Sequence, residues 1–273
     1  SRASRRSNLF VLRQVLRGFA LTAENVRDVV IRGLEMWHNR QPGGQWAAVS
    51  IGQCERVVVE DCKIHFADFN GLSLHRCKDC AVRRCDLSYN GCTGMALGLT
   101  EDCLGEDCTL LFNNYRRFDG DWGVAAGMKN IPGNRRTTIR RCEAAYNIQA
   151  EGIWFDTDNS DIRILDNVAH DNDDCGIFFE INRGGGVIAG KNSLGGVCPC
   201  RVSSGDGRTH MSLATTLLAA GGTGLPEWLL RLLSVDTERI RGGAGHFRFA
   251  RFPEGGLGFL ALLFSPTAMV MAQ

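Results

Sequence analysis

The sequence carries almost no net charge: 31 Lys and Arg face 30 Asp and Glu, a formal +1 with the six His neutral. Binding to nucleic acid or to an anionic membrane needs a basic excess, so neither partner is expected. Zinc-spaced cysteine pairs are also missing. Cys198-Pro199-Cys200 has no second pair at zinc spacing, reads as lying outside the repeats, and is assigned no metal. No secretory signal opens the chain. It begins Ser1-Arg2-Ala3-Ser4-Arg5-Arg6 without Met, which reads as a fragment or a processed chain, so that absence says nothing about export. No membrane span is expected. Gly255 to Gln273 is uncharged and approaches span length, but Gly255, Gly256, Gly258 and Pro266 interrupt it.

Glycine is abundant, with 33 among 273 residues, above the usual share of about 7%. The chain also repeats itself. Strand-like segments begin at Val29, Val57, Cys80, Cys103, Thr137, Ile162 and Val187, at intervals of 28, 23, 23, 34, 25 and 25 residues. Two positions on stand Ile31, Val59, Val82, Gly105, Ile139, Ile164 and Ala189. Five on stand Leu34, Cys62, Cys85, Cys108, Cys142, Asn167 and Asn192. A fixed period of this length marks a solenoid with one supersecondary unit per repeat.

Apolar residues alternate with period two, as in Val57 and Val59 or Ile162 and Ile164, which is the strand pattern. A glycine opens a further short strand in each repeat: Gly71-Leu72-Ser73-Leu74, Gly94-Met95-Ala96-Leu97, Gly152-Ile153-Trp154-Phe155 and Gly176-Ile177-Phe178-Phe179. Short strands joined by Asn-, Asp- and Gly-rich corners predict an all-β parallel β-helix of six to seven coils. Asn90, Asn113, Asn147 and Asn172 form a corner row. Asparagine tolerates left-handed backbone, and stacked amides can bond to one another. The cysteines recur at the coil period and share a row with Leu34 and Asn167, so they read as small buried hydrophobes. Stacked Cα atoms at about 4.8 Å would permit disulfides without implying them.

With Gly152-Ile153-Trp154-Phe155-Asp156 and, one coil on, Gly176-Ile177-Phe178-Phe179-Glu180, the chain resembles the right-handed parallel β-helix proteins of the pectin-lyase-like superfamily. The resemblance covers roughly residues 18 to 194 and is specific for fold. It implies a carbohydrate-active protein, secreted, periplasmic or on the cell surface. It does not choose a reaction, because that superfamily holds lyases, hydrolases, epimerases and adhesins.

Three divisions follow: residues 1–19 as a segment with a capping helix, 20–194 as the β-helix, and 195–273 as an atypical tail. Leu9, Leu12, Val15, Leu16 and Phe19 fall on one face of a helix that would cover an open solenoid end. After Leu194 every row fails. The tail reads as out-of-frame translation or a chance fusion, with a packed helix over Leu225 to Leu233 as the rival; reading the gene in its other two frames is the test.

The candidate site follows from alternation. If Ile153 and Phe155 point inward, Trp154 and Asp156 point out, and one coil on so do Phe178 and Glu180. Gly127-Met128-Lys129 fits the same phase, which sets Lys129 in the Trp154 row, diagonal to Asp156. The expected result is an exposed patch of two aromatic faces, two carboxylates and an ammonium. Carboxylates on adjacent coils, roughly 5 Å apart, repel. Lys129 could neutralise them, calcium could bind Asp156 and Glu180, or the pair could act as acid and base in a hydrolase. Trp154 and Phe178 would stack on sugar rings. In a lyase, Lys129 would be the general base, its pKa lowered by burial or by a nearby cation.

Two insertions bear on the site. The 34-residue interval adds Asn114-Tyr115-Arg116-Arg117-Phe118-Asp119-Gly120-Asp121-Trp122, leading into the Lys129 strand. The first interval carries Trp37-His38-Asn39-Arg40 and then Trp46. Solenoid insertions often line a binding face. Tyr115, Arg116, Arg117, Asp119, Asp121 and Trp122 are therefore candidate groove residues with His75, an arginine meeting a carboxylate or sulfate. A non-catalytic glycan-binding or surface module, or an inactive truncated fragment, is the alternative to an enzyme acting on a polysaccharide.

Overall fold

In the computed structural model, residues 10–12, 21–40, 47–118, 124–182, 186–190, 193–194, 198–203 and 211–215 are described. They form a right-handed parallel β-solenoid of about six turns, and none of them is helical. The coils stack their short strands into two eight-stranded sheets and, on a third side, a three-stranded and a four-stranded sheet joined through the single-residue bridges of Asp86. The sheet central to function holds Leu21–Glu24, Ala47–Gly52, Asn70–His75, Met95–Gly98, Ala126–Asn130, Glu151–Asp156, Cys175–Glu180 and Cys198–Ser203, all parallel and in chain order. A second sheet runs from Val30–Arg32 to Met211–Thr215. A third holds the short strands before the asparagine corner, such as Thr109–Leu111 and Glu143–Ala145.

Alternation sends every second side chain into one continuous core. Val49, Leu72, Met95, Met128, Ile153 and Ile177 form one inward row, and all are fully buried. Phe155 and Phe179 lie beside them, their rings tilted with centroids 6.1 Å apart; full burial of such side chains stabilises by about 1.5–3 kcal/mol each. The cysteine rows enter the same core. Among the described residues ten cysteines are free and buried. The neighbouring Cys108 thiol holds Cys85 up at about 12, and burial pushes Cys92 to about 12, so both stay protonated.

The asparagine corner is a hydrogen-bonded ladder. Asn113 N–H donates to Asn147 Oδ1 (3.0 Å), and Asn147 Nδ2 donates to Asn172 Oδ1 (2.7 Å). The left-handed backbone falls one residue earlier than expected, on Tyr89, Phe112, Tyr146 and Asp171. Holding the bend there leaves each amide turned inward along the stack. The glycines that open the functional strands sit directly against this ladder. A Cβ at Gly127 would lie 2.7 Å from Asn147 Nδ2 and 2.7 Å from Gly152 O, closer than packing allows, so a side chain is excluded. A second ladder, Asn134, Asn159 and Asn182, lines another corner; the sequence reading did not single it out.

Three expectations need correction. Phe10–Leu12 is a strand paired in parallel with Leu34–Met36, not part of a capping helix; the rest of that expected helix lies outside the described residues. The solenoid does not stop at Leu194. Cys198–Ser203 pairs with Cys175–Glu180, and Met211–Thr215 pairs with Gly186–Gly190, so Cys198-Pro199-Cys200 belongs to a coil. Backbone pairing needs no conserved corner asparagine, which is why the side-chain rows missed it. Residues beyond 215, including the Leu225–Leu233 helix and the Gly255–Gln273 segment, lie outside the described residues. Finally, the repeat expected to begin at Val187 slips by one residue: Ile162 pairs with Gly186, placing Ile188 rather than Ala189 opposite Ile164. Burial drives that register, since Ile188 is enclosed while Val187 is exposed.

Candidate functional site: an outer groove ending at Lys129

On the outer face of the functional sheet, Thr22, Ser50, Ser73, Ala96, Lys129, Trp154 and Phe178 stand in register on seven successive strands. The first four are small and the last three are large. Over the small residues lies a groove of about 350 Å³, within the size range of ligand sites. Asn70, Thr93, Phe69 and Val124 line one flank; Gln53, His75, Gly98 and Ile131 line the other; Glu24 lines the end near Thr22 and Lys129 the opposite end.

Lys129 is a buried charged group in that lining. Its Nζ lies 3.2 Å from Asp156 Oδ2 and 3.3 Å from the centroid of Trp154, and its side chain is only 8% exposed. Burial lowers its pKa below 10.5; Asp156, Glu151 and Glu180 oppose the shift without cancelling it. Trp154 and Phe178 stack at 5.6 Å, and Trp154 Nε1 donates to Glu180 Oε2 at 3.0 Å. Asp156 and Glu180 are Cα partners one coil apart. Geometry thus unites Lys129, Trp154, Asp156, Phe178 and Glu180 as the alternation argument required.

Their exposure is another matter. Trp154 is 5% and Phe178 6% exposed, and both pack with Ala126 and Cys175 in a small apolar cluster. The expected open aromatic patch is therefore a buried support beneath and beyond Lys129, and neither ring face is open to a sugar. Sequence alternation reports which face of the sheet a side chain leaves from, not what covers that face.

The remaining predicted residues divide. His75 lines the groove, and burial, then the charge of Arg76, lowers its pKa. Tyr115 lies on the aromatic corner, 6.2 Å from Phe66. Arg116 pairs with Asp68 at 2.8 Å and sits over Phe118 at 5.8 Å. Arg117 adopts a left-handed turn and donates its N–H to Asn114 O. Tyr115, Arg116 and Arg117 are not among the groove-lining residues. Asp119, Asp121, Trp122 and Trp46 lie outside the described residues. The insertion acts on the groove indirectly: Phe118 packs on the groove-wall residue Phe69 at 4.8 Å. Ser50, Asn70, Ser73 and Thr93 went unnoticed in the sequence. For Ser50 and Ser73 a signal was available, as outward positions of the same row three and two coils before Lys129; Asn70 and Thr93 are off that phase, and alternation gives no sign of them.

A resident calcium does not fit these donors. Calcium takes about six to eight oxygens, whereas Asp156 Oδ2 faces an ammonium and Glu180 Oε2 holds an indole N–H. No cluster of three or more His, Cys, Asp or Glu side chains converges among the described residues. No helix among them is long and apolar enough to cross a membrane.

Parallel coils with an external groove define the class as β-solenoid. The model described as "Right handed beta helix region" matches residues 17–215, and the chain belongs to that family. Among solved structures it is similar to a mutant of the periplasmic alginate epimerase AlgG, with TM-score 0.60 and 13% identity over 74% of this chain and 48% of that one. It is also similar to tailspike protein 2 of an Escherichia coli bacteriophage (TM-score 0.48, 12% identity, 71% of this chain and 27% of that one). A third likeness is to a mannuronan C-5 epimerase A-module from Azotobacter vinelandii (0.46, 13%, 70% and 59%). The chain spans about half the length of the first and about a quarter of the second. These likenesses are likenesses of fold. A search of the curated proteins finds no match.

Proposed function

We propose that the protein acts on an acidic polysaccharide laid along the outer groove, with Lys129 as the general base of a β-elimination. The observation that carries this reading is the position of Lys129: a buried ammonium with a lowered pKa at the end of a groove with a floor of small side chains and flanks that mix hydrogen-bonding residues with the apolar Phe69, Val124 and Ile131. A lowered pKa supplies free amine nearer neutral pH, which general-base work requires. The amine takes the ring proton α to a uronate carboxylate. The electron pair forms the C4–C5 double bond, the C4–O4 glycosidic bond breaks, and O4 takes a proton from water. Asn70, Ser73, Thr93 and His75 would hold ring hydroxyls, and Phe69 would offer an apolar wall.

The hydrolase reading is weaker because Asp156 and Glu180 are engaged by Lys129 and Trp154. The binding-module reading draws on the same ion pair, in which the Asp156 carboxylate favours the charged form of Lys129 against its burial. A polysaccharide ligand also agrees with the alginate epimerase among the similar folds, whose name further suggests work outside the cytoplasm. The test is absorbance near 235 nm together with reducing-end release on polymannuronate, polygalacturonate and neutral glucans. Both signals together support elimination. Reducing ends without absorbance would return the assignment to Asp156 and Glu180, and binding without either would make the groove a recognition site.

A further inference from the structure

The groove has unequal ends. Along the outward row the floor is small from Thr22 through Ala96, and then Lys129, Trp154 and Phe178 fill the same register positions. Lys129 lines the groove and Trp154 and Phe178 do not. Those two rings stack on each other and are almost fully enclosed, so a ligand continuing along the row beyond Lys129 meets packed side chains. A polymer threaded through this site by its middle would have to occupy that space.

We infer that the groove takes a chain end. This rests on the polysaccharide reading and adds its mode: one terminus abuts Lys129, and the rest of the chain runs along Ala96, Ser73 and Ser50 toward Thr22. From Thr22 to Lys129 are four coil steps of about 4.8 Å, so the bed is about 19 Å long, enough for roughly four sugar rings end to end. The base stands at the closed end, so the bond broken is near the terminus. Products are short fragments released successively, and the long polymer shortens slowly. Ala96 sets the depth beside the base: its Cα partners are Ser73 and Lys129, so a large side chain there fills the bed without touching the core.

The test counts protein bound per chain. Polymannuronate and polygalacturonate are fractionated to about five, ten and twenty units and titrated calorimetrically against the full chain, with concentration expressed in chains. End engagement predicts one protein per chain at every length, and affinity that stops rising beyond about four units. A protein-to-chain ratio that grows in proportion to length overturns end engagement while leaving the polysaccharide reading intact. No binding to either polymer overturns both. Ala96→Trp is expected to lower affinity at least tenfold with an unchanged melting temperature. An unchanged affinity in that folded variant would place the ligand elsewhere and overturn the inference.

Discussion

Replacing Lys129 with Met separates a working base from a structural ion pair. The substitution removes the contact to Asp156 and the cation–π contact to Trp154; the latter is worth up to about 2 kcal/mol when desolvated. It also removes the cost of burying an ammonium, which is several kcal/mol per ion before pairing. The thioether regains about 0.3–1.5 kcal/mol on the indole. Asp156, a quarter exposed, rehydrates once released. The sum lies within about 1 kcal/mol of zero, a shift of about 2–4 °C in melting temperature for a chain of this size. Loss of a general base costs about 10²–10⁴ in rate. Calorimetric melting and initial rates at 235 nm, on the same preparation, give both numbers. A melting temperature lowered by more than about 10 °C would show that the ammonium is held for stability. A folded variant within twofold of the parent rate would remove Lys129 from the chemistry.

If Lys129 is the base, the unsubstituted protein's elimination rate should climb with pH to a plateau whose midpoint lies below the ordinary lysine value of 10.5, because burial lowers the Lys129 pKa; a midpoint at or above it would contradict the buried environment. Asn147→Ala should cost about 2–4 kcal/mol in urea unfolding: it orphans the buried Asn113 N–H, and an unsatisfied buried donor costs about 1–3 kcal/mol before the lost Asn172 bond is counted. A loss under about 0.5 kcal/mol would mean water replaces the ladder. Arg32 and Arg84 lower the Glu60 pKa, and Arg84 lowers that of Asp61. At Glu106, Arg140 and Arg141 outweigh burial. With folded values below unfolded ones, this stabilisation is full above about pH 4 and is lost as pH falls through the folded values. Melting temperature should therefore decline below about pH 4, and a flat profile there would leave these pairs without net effect. His75→Ala should raise KM more than it lowers kcat, since His75 lines the groove opposite Asn70 and Thr93; an equal fall in kcat with KM unchanged would instead give it a part in the transition state.

The sequence alone determined what depends on local spacing. A coil period, alternating strands and corner asparagines are written into short stretches of chain, so the fold, the Gly-led strands and the register of Lys129, Trp154 and Phe178 were all legible. Where spacing shifted by a single residue, at Ile188, the reading slipped, because burial and not periodicity chose the register. The tertiary structure decided what depends on distant coils. The groove floor gathers Thr22, Ser50, Ser73 and Ala96 from four separate strands, and their smallness means something only beside the bulk of Lys129 and Trp154. It also decided that Trp154 and Phe178 are enclosed supports and not open sugar platforms. Alternation fixes the face from which a side chain leaves the sheet, whereas exposure depends on everything else that packs against that face.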